Sequence, residues 1–392
     1  MQLAVDILTW FLIIVGHLAI WCSVYNLIHA TSWPRSLRKG SEKVIFLSIL
    51  LPMVWVLTIL IGSWSTSFHA IRQASDIAFR YGQICLIVAA FFIARWFYRK
   101  FTLTTPPGII ATSSELIDLK KIKGKSLVGE GLASILGRLP FNQIQKVSLD
   151  RKTIRLDKFP PELSGLRIAH WSDLHFTGQM TADYFAAIVE LSNEFEPDLV
   201  FITGDIIDKI KCMDWIENVL GKLESKHGIY YVLGNHDLRI RDEELVRDAL
   251  HRQGFQRTGG RWLPVEINGQ SFWLAGNELP WFRGAESLPI RPEDSSDNVL
   301  KILLSHSPDQ LKWAEPYDFD LMLAGHTHGG QIRLPIIGPI VAPSIYGIKY
   351  CSGSFQLGNM LMHVSRGLSG DDPIRINCPP ELGLITLQSP SE

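Results

Sequence analysis

Five polar motifs in the second half of the chain carry side chains suited to gripping cations. In order they are Asp173-Leu174-His175, Gly204-Asp205-Ile206-Ile207-Asp208, Gly234-Asn235-His236-Asp237, His306 within Leu304-Ser305-His306-Ser307, and Gly325-His326-Thr327-His328-Gly329-Gly330. Carboxylate, imidazole and amide ligands in this number suit hard-to-borderline divalent ions such as Mn, Fe or Zn, and the set points to a binuclear site. No thiolate joins them, which disfavours a structural zinc site. Taken alone, Asp-x-His is usually a polar turn, and Gly-Asn-His-Asp fits a hairpin turn equally well. Five such motifs in order, each behind a strand, outweigh that plainer reading.

Each motif follows a short apolar run: 165–171, 198–203, 228–233, 299–304 and 319–324. These runs are rich in branched or aromatic residues and break at a glycine or a polar turn, so they read as buried β-strands. Helical patterns lie between them at 182–196, 213–224, 242–253 and 308–314. Strands alternating with helices predict an α/β domain with every ligand at one rim of a sheet, where ligands of such sheets bind.

In these motifs the chain resembles the calcineurin-like metallophosphoesterases, whose signature is Asp-x-His, Gly-Asp-x-x-Asp, Gly-Asn-His-Asp/Glu, His and Gly-His-x-His. The lead-in 159–168, the run 326–332, and the tail Ser365-Arg366-Gly367-Leu368 with Pro379-Pro380-Glu381-Leu382 are similar to the bacterial membrane-associated branch. That branch includes YkuE-type phosphodiesterases and a UDP-2,3-diacylglucosamine pyrophosphatase. The resemblance spans 147–388 and implies a four-layer αββα sandwich, two mixed sheets flanked by helices.

It also implies two divalent metal ions, one held by Asp173, His175 and His328, the other by Asn235, His306 and His326, with Asp205 bridging them. One carboxylate between two cations brings them to about 4 Å, the spacing that two-metal catalysis uses. His236 is then the general acid for the leaving oxygen or a donor to the phosphoryl oxygens, since adjacent side chains diverge and Asn235 takes the ligand role. Asp208 is expected to hydrogen-bond the far nitrogen of His236 and fix its tautomer. Asn235, His236 and Arg366 are the substrate-contact candidates, with a structural ion pair as the competing reading for Arg366. Lys209 stands where serine/threonine protein phosphatases carry arginine, which argues against a phosphoprotein substrate.

Other features bear on the surroundings of the site. Leu274-Ala275-Gly276-Asn277-Glu278 sits where relatives often carry paired aspartates, and its role stays open. Leu279-Pro280-Trp281-Phe282-Arg283 is unusually apolar for a loop; packing on the core is favoured over an acyl pocket or bilayer contact. Asn268-Gly269 reads as a hairpin turn. His170 reads as a hydrogen-bonded core residue, and His227, His251 and His363 as surface or structural ones.

Residues 1–100 read as a transmembrane region. The stretch 44–64 is uncharged and long enough to cross a bilayer, with Pro52 tolerated as a kink. The stretch 7–24 is broken only by Gly16 and His17, and His17 is expected to make a helix–helix hydrogen bond. A third span near 78–98 requires Arg80 and Arg95 to snorkel, and ends in the interfacial trio Trp96, Phe97 and Tyr98. Met1 to Asp6 lacks the basic head of a cleavable signal peptide. Arg35, Arg38, Lys39 and Lys43 follow the first span and Arg95, Arg99 and Lys100 the third, against Arg72, Arg80 and Asp76 between the second and third. With three spans, the positive-inside rule places a catalytic domain at 147–392 on the cytoplasmic side of an inner or cytoplasmic membrane. Were 78–98 only interfacial, the domain would lie outside. The segment 101–146 reads as a juxtamembrane linker, its Lys120-Lys121-Ile122-Lys123-Gly124-Lys125 stretch either solvated or on anionic headgroups.

A chain of 392 residues, 46% hydrophobic, holds a membrane block plus one large soluble domain, and a net charge of -1 gives no nucleic-acid footprint. Five cysteines without a Cys-x-x-Cys pair suggest no disulfide framework and favour a reducing compartment. The expected reaction is hydrolysis of a phosphodiester or pyrophosphate in a lipid-linked substrate such as UDP-2,3-diacylglucosamine. The alternatives are a phosphodiesterase for soluble nucleotides and a catalytically silent metal-binding membrane scaffold.

Overall fold

The computed structural model describes residues 2–63, 76–102, 104–282 and 299–390. Trp64, Arg72 and Arg283, used in the expectations above, lie outside the described residues. The chain divides into two compact units, Met1–Thr104 and Thr105–Glu392.

The first unit consists of α1 (Gln2–His29), α2 (Arg35–Ser63) and α3 (Asp76–Thr102). Each contains a stretch long and apolar enough to cross a membrane: Leu3–His29, Ser36–Thr58 and Asp76–Thr102. Helix α3 runs unbroken through Arg80 and Arg95, so the expected third segment is one continuous helix. Helices α1 and α3 approach closely at Gly16, where a Cβ would collide with the Cys85 carbonyl. Small residues permit such packing between apolar helices, where water supplies no driving force. His17 joins all three helices: Nε2 donates to the Ile49 carbonyl at 3.1 Å, leaving Nδ1 to accept from the Tyr81 hydroxyl at 2.7 Å. Pro52 interrupts the α2 hydrogen-bond ladder in the same turn as Ile49.

The second unit opens with β1 (Ile109–Asp118), antiparallel to β2 (Lys146–Arg155). Helices α4 (Leu119–Lys123) and α5 (Leu132–Gly137) fill the interval. The segment 101–146, expected as a linker, is therefore largely part of this unit from Thr105 onward. It escaped sequence reading because β1 is an edge strand whose residues are nearly all exposed, so it lacks the apolar alternation that betrays a strand. Lys123 and Lys125 of the basic stretch pair with Glu190 and Asp183.

Two mixed sheets follow. Strands β3 (Leu166–Trp171), β4 (Leu199–Thr203), β5 (Ile229–Val232) and β6 (Gln256–Arg257) run parallel, and β15 (Glu381–Gln388) joins β3 to β2. The order is β1-β2-β15-β3-β4-β5-β6. The second sheet holds β7 (Trp262–Ile267), β8 (Gln270–Asn277), β9 (Lys301–Ser305), β10 (Leu321–Ala324), β13 (Gly353–Leu357) and β14 (Met360–Val364), in the order β13-β14-β10-β9-β8-β7. A small hairpin, β11 (Arg333–Leu334) and β12 (Gly338–Pro339), stands apart. Asn268 (φ 52) and Gly269 (φ 77) turn β7 into β8, as a type I′ hairpin requires.

Strand alternation sorts the side chains into layers. Leu199 and Phe201 of β4 point into the core between the sheets, meeting Leu304 and Leu323 from the second sheet. Val200 and Ile202 point the other way, toward Ile188 of α6 (Ala182–Glu194), Ile216 of α7 (Asp214–Asn218) and Leu250 of α8 (Glu243–Arg252). On the far face of the second sheet, Leu303 and Met322 lie under Ala314 of α9 (Leu311–Ala314), Phe319 and Tyr350. This is the αββα sandwich. Two helices differ from expectation: 213–224 breaks into 3-10 turns around α7, and 308–314 becomes a 3-10 turn plus α9. The five ligand-bearing strands also belong to two sheets, β3 to β5 in one and β9 with β10 in the other, rather than to a single rim.

Candidate metal centre

At the ends of these strands the backbone takes an uncommon form. Asp173 (φ 52), His175 (φ 48), Asp205 (φ 53), His326 (φ 69) and His328 (φ 51) all lie in the left-handed region. Each such residue costs on the order of 1–3 kcal/mol and persists only where its surroundings over-determine it. Here backbone bonds do so: Asp173 N donates to Gly204 O at 3.0 Å, His175 N to Asp205 O at 2.8 Å and Gly325 N to His306 O at 2.9 Å. These links tie the ligand turns of one sheet to each other, and those of the second sheet likewise. Glycine at 234 is obligatory, because a Cβ there would overlap the Asp205 carboxylate.

All seven expected ligands converge. Asp173, His175, Asp205 and His328 present ligand atoms within 4.8 Å of one another, and so do Asp205, His306 and His326. Asp205 belongs to both groups. Asn235 Oδ1 lies 3.2 Å from His306 Nε2, which places it with the second group.

The ring hydrogen bonds fix which nitrogen faces inward. His175 Nδ1 is bound to Asp208 Oδ2 at 2.9 Å, His306 Nδ1 to the Thr203 carbonyl at 2.7 Å, and His328 Nδ1 to the Ser369 carbonyl at 3.3 Å. Each leaves Nε2 for the interior, the usual way a protein orients a ligating imidazole. Those nitrogens then face one another: His175 Nε2 and His328 Nε2 are 3.2 Å apart, as are His306 Nε2 and His326 Nδ1. Asp205 Oδ1 accepts from the His236 backbone N–H at 2.7 Å. Its Oδ2 is buried without a hydrogen-bond partner among the described residues, 3.5 Å from His175 Nε2 and 3.3 Å from His306 Nε2. Ring nitrogens and a carboxylate oxygen converging on shared points fit two divalent cations once the imidazoles give up their protons.

The electrostatics agree. Burial opposes charge on His175 and His306, but Asp208 beside the first and Asp205 beside the second raise both imidazoles to about 9. Burial likewise opposes ionisation of Asp205 and Asp208, yet His306 and His236 hold both carboxyls well below the usual range, His306 acting first on Asp205 and His236 on Asp208. Burial and the neighbouring charge of His175 push His328 down. Asp237 is pushed up to about 7, by burial first and then by Asp205. It accepts from the backbone of Ile206, Ile207 and Gly234, clamping two ligand loops together.

Residues 166–330 match the calcineurin-like phosphoesterase family. Over 249 residues the chain is 33% identical to the uncharacterized metallophosphoesterase YkuE of Bacillus subtilis, covering 60% of this chain and 84% of that protein. The chain belongs to the calcineurin-like phosphoesterases. It is 27% identical to the phosphodiesterase YaeI of Escherichia coli, covering 59% of this chain and 86% of that protein. It is 25% identical to the UDP-2,3-diacylglucosamine pyrophosphatase LpxG of Chlamydia muridarum, covering 61% of this chain and 88% of that protein. As a calcineurin-like phosphoesterase it is a hydrolase, of a family that works with two metal ions.

Beside the ligands of this phosphoesterase lies His236, whose Nδ1 is 2.5 Å from Asp208 Oδ1. Asp208 thus serves two imidazoles, the expected His236 and also His175. Sequence reading missed Arg239. It sits in the 3-10 turn Asp237–Ile240, with Nη1 bonded to Asp208 at 2.6 Å and to Asp371 at 2.8 Å. Its Nη2 donates to Asp371 at 3.0 Å and lies 3.3 Å from His236 Nε2. Only the turn brings it there; three residues after His236 is one helical turn, and that spacing was the available signal. Trp281 was also under-read. Phe282 is buried as expected, but the Trp281 ring stands 4.9 Å from that of His326 and 5.3 Å from that of His306, walling the second ligand group.

Arg366 does not join the site. Its Nη2 bonds Asp150 at 2.9 Å and its Nε lies 3.0 Å from Glu381, so the ion-pair reading holds and substrate contact does not. Glu278 gains a role: it accepts from Leu233 N at 2.8 Å and takes Arg247 in a buried bidentate pair, bracing the Gly-Asn-His-Asp loop. His170 Nε2 meets Thr203 Oγ1 at 2.9 Å in the core, and His363 is buried 3.3 Å from Glu381. Lys209, His227 and His251 are exposed.

Three outcomes follow from this geometry. Cation uptake by the chelated protein must displace the protons held by His175 and His306. At about pH 7.5, adding Mn is expected to release about two protons per chain, read with an indicator dye, and fewer above about pH 9. The same raised values mean these imidazoles stabilise the chelated fold fully below about pH 6.5, and that this is lost as pH rises through about 9. Proton-neutral uptake would contradict the assignment. Arg239→Ala is expected to lower kcat/KM on bis-p-nitrophenyl phosphate roughly tenfold to a hundredfold, the worth of a charge-assisted hydrogen bond, with metal content unchanged. Unaltered kinetics would remove Arg239 from the site.

Proposed function

We propose that this chain is a membrane-anchored phosphoesterase that uses two divalent cations to hydrolyse a phosphodiester or pyrophosphate bond in a lipid-linked substrate. The observation that carries the chemistry is the buried Asp205 carboxylate, shared by both ligand groups and flanked by the His236–Asp208 pair. Asp173, His175 and His328 would hold one cation and Asn235, His306 and His326 the other, with Asp205 on both. Manganese, iron and zinc all suit this donor set. When bound, the cations supply Lewis-acid polarisation of the phosphoryl oxygens.

The side chains around them do the rest. With Nδ1 held by Asp208 and Nε2 beside Arg239, His236 would donate a proton to the leaving oxygen. The ionised Asp208 stabilises the imidazolium that this role requires. Arg239, beside Nε2, would receive the phosphoryl or leaving-group oxygen, where its planar donors match spread negative charge. Trp281 offers an apolar wall on the side of His306 and His326.

Two observations favour a lipid-linked substrate. Three helices on the same chain are long enough to span a membrane, and tethering raises the effective concentration of amphiphiles at the site. A relative of similar extent is named a UDP-2,3-diacylglucosamine pyrophosphatase, which makes a nucleotide-linked glycolipid the specific candidate. The name of YaeI, a phosphodiesterase, supports soluble nucleotides as the second reading. The charge pattern around the helices favours a cytoplasmic catalytic unit at the inner or cytoplasmic membrane.

His236→Ala is expected to keep both cations by elemental analysis and to lose about 10²–10⁴ in kcat on bis-p-nitrophenyl phosphate with Mn. Loss of the cations would reject the catalytic assignment. Equal turnover of soluble nucleotides and nucleotide-linked lipids would reject the lipid reading. An alkaline phosphatase joined to the carboxyl terminus is expected to stay inactive; activity would place the unit on the other side.

A further inference from the structure

The second unit exposes its large apolar side chains unevenly. Among its described residues sixteen are exposed, and ten of these fall in two segments, four in 132–141 and six in 332–345. The segments adjoin. Ile376 bridges Asn142 on one side and Ile332 on the other. Gln143 N donates to Arg375 O at 2.6 Å, Arg333 N to Ile376 O at 2.9 Å, and Asn377 Nδ2 to Arg333 O at 3.0 Å. Leu132, Ile135 and Phe141 are thereby joined through one strip of backbone to Ile332, Leu334 and Ile336.

The tips are the more telling positions. Phe141 and Ile336 are each 84% exposed, and both have left-handed backbone, φ 64 and φ 67. Glycine or asparagine would occupy such turn positions at little cost, whereas a branched Ile is an outlier there. A bulky apolar side chain held outward at a strained turn makes sense only against an apolar partner. Soluble surfaces do not gather such residues without one.

The covalent structure identifies that partner. The unit begins at Thr105, directly after α3 ends at Thr102, and α3 is long and apolar enough to cross a bilayer. With α3 as a membrane span, the unit would be held at a lipid surface. Lys120, Lys121 and Arg138 are exposed in the first segment or just before it, a complement to anionic headgroups. The second segment starts shortly after His328, and Arg375, next to Ile376, donates to the His328 carbonyl at 2.9 Å. The apolar strip consequently borders the turn that carries His328.

We infer that segments 132–141 and 332–345 form a bilayer-docking face, inserting Phe141 and Ile336 into anionic lipid beside the His328 turn. A lipid-linked phosphoryl group then reaches the ligands without leaving the membrane. That consequence rests on the lipid-linked reading above; the docking itself rests only on its membrane anchor.

The test uses the intact chain in nanodiscs of mixed phosphatidylglycerol and phosphatidylcholine. Cys22→Ser removes the one cysteine that is not buried, and a bimane probe is placed at Ile336→Cys, at Phe141→Cys and, as control, at Glu266→Cys. Doxyl-labelled lipid is expected to quench the first two at least about twofold more than the third, and less when phosphatidylglycerol is omitted. Equal quenching at all three overturns the docking face. So does a shielded probe with 336-to-336 crosslinking, which would mean a second copy covers the patch. Ile336→Asp and Phe141→Asp, each exposed enough to fold, are expected to lower turnover of a nucleotide-linked glycolipid in nanodiscs at least about tenfold, leaving bis-p-nitrophenyl phosphate hydrolysis unchanged. Lipid quenching with unchanged glycolipid turnover supports the docking face and counts against the lipid-linked substrate.

Discussion

The buried Asp205 carboxylate is the constraint from which the rest of the catalytic unit follows. Removing a carboxylate from water without compensation is prohibitively expensive. One oxygen is satisfied by the His236 backbone N–H, while the other has no hydrogen-bond partner among the described residues and lies 3.5 Å from His175 Nε2 and 3.3 Å from His306 Nε2. Positive charge has to arrive from somewhere, either as imidazole protons or as cations. The two sheets bring that charge from opposite sides, β3 with His175 and β9 with His306. The left-handed turns at Asp173, His175, Asp205, His326 and His328 are the local cost of aiming five side chains at one place. Cation binding therefore returns free energy to the fold, because each cation replaces protons that the buried carboxylates would otherwise have to recruit.

Support for the ligands is layered, and the layers share members. Asp208 holds His175 and His236 with its two oxygens, so the geometry of a ligand and of the proposed proton donor cannot vary independently. Asp237 ties the Gly-Asp and Gly-Asn-His loops through three backbone N–H groups. Behind His328, the fully buried Arg375 donates to the carbonyls of His328, Arg366 and Ser369. Arg366 in turn is pinned by Asp150 and Glu381, and Glu381 also takes Lys152 and His363. A phosphate-binding role for Arg366 would have required breaking this network.

The ligands were legible in the sequence because polar residues at the ends of apolar strands are anomalous unless they have work to do. All seven came together as the motifs implied, and the strands that carry them lie where the apolar runs placed them. The edge strand β1 was illegible for a complementary reason: with both faces exposed it has no apolar pattern to read. Arg239 and Trp281 were missed because nothing in their own neighbourhoods marks them. Their meaning comes from a single 3-10 turn after His236 and from a loop folding back over His306 and His326, both tertiary facts. The division of ligand strands between two sheets was likewise invisible, since periodicity reports burial and not partnership.

Arg239 also bears on the reaction cycle. The serine/threonine phosphatase signature places an arginine after Gly-Asp-x-x-Asp; here that position is Lys209, which is exposed. A guanidinium reaches the site instead from the turn after Gly-Asn-His-Asp. Asp371 grips it bidentately, and burial notwithstanding, Arg239 brings the Asp371 carboxyl down to about 2, so the pair stays ionised across the working range. Pinned this way, the Arg239 Nη2 lies 3.3 Å from Nε2 of His236, the imidazole proposed to protonate the leaving oxygen. An incoming phosphoryl oxygen, a stronger acceptor than imidazole, would draw the guanidinium off Nε2. Arg239 would then receive the phosphoryl group beside the proposed proton donor.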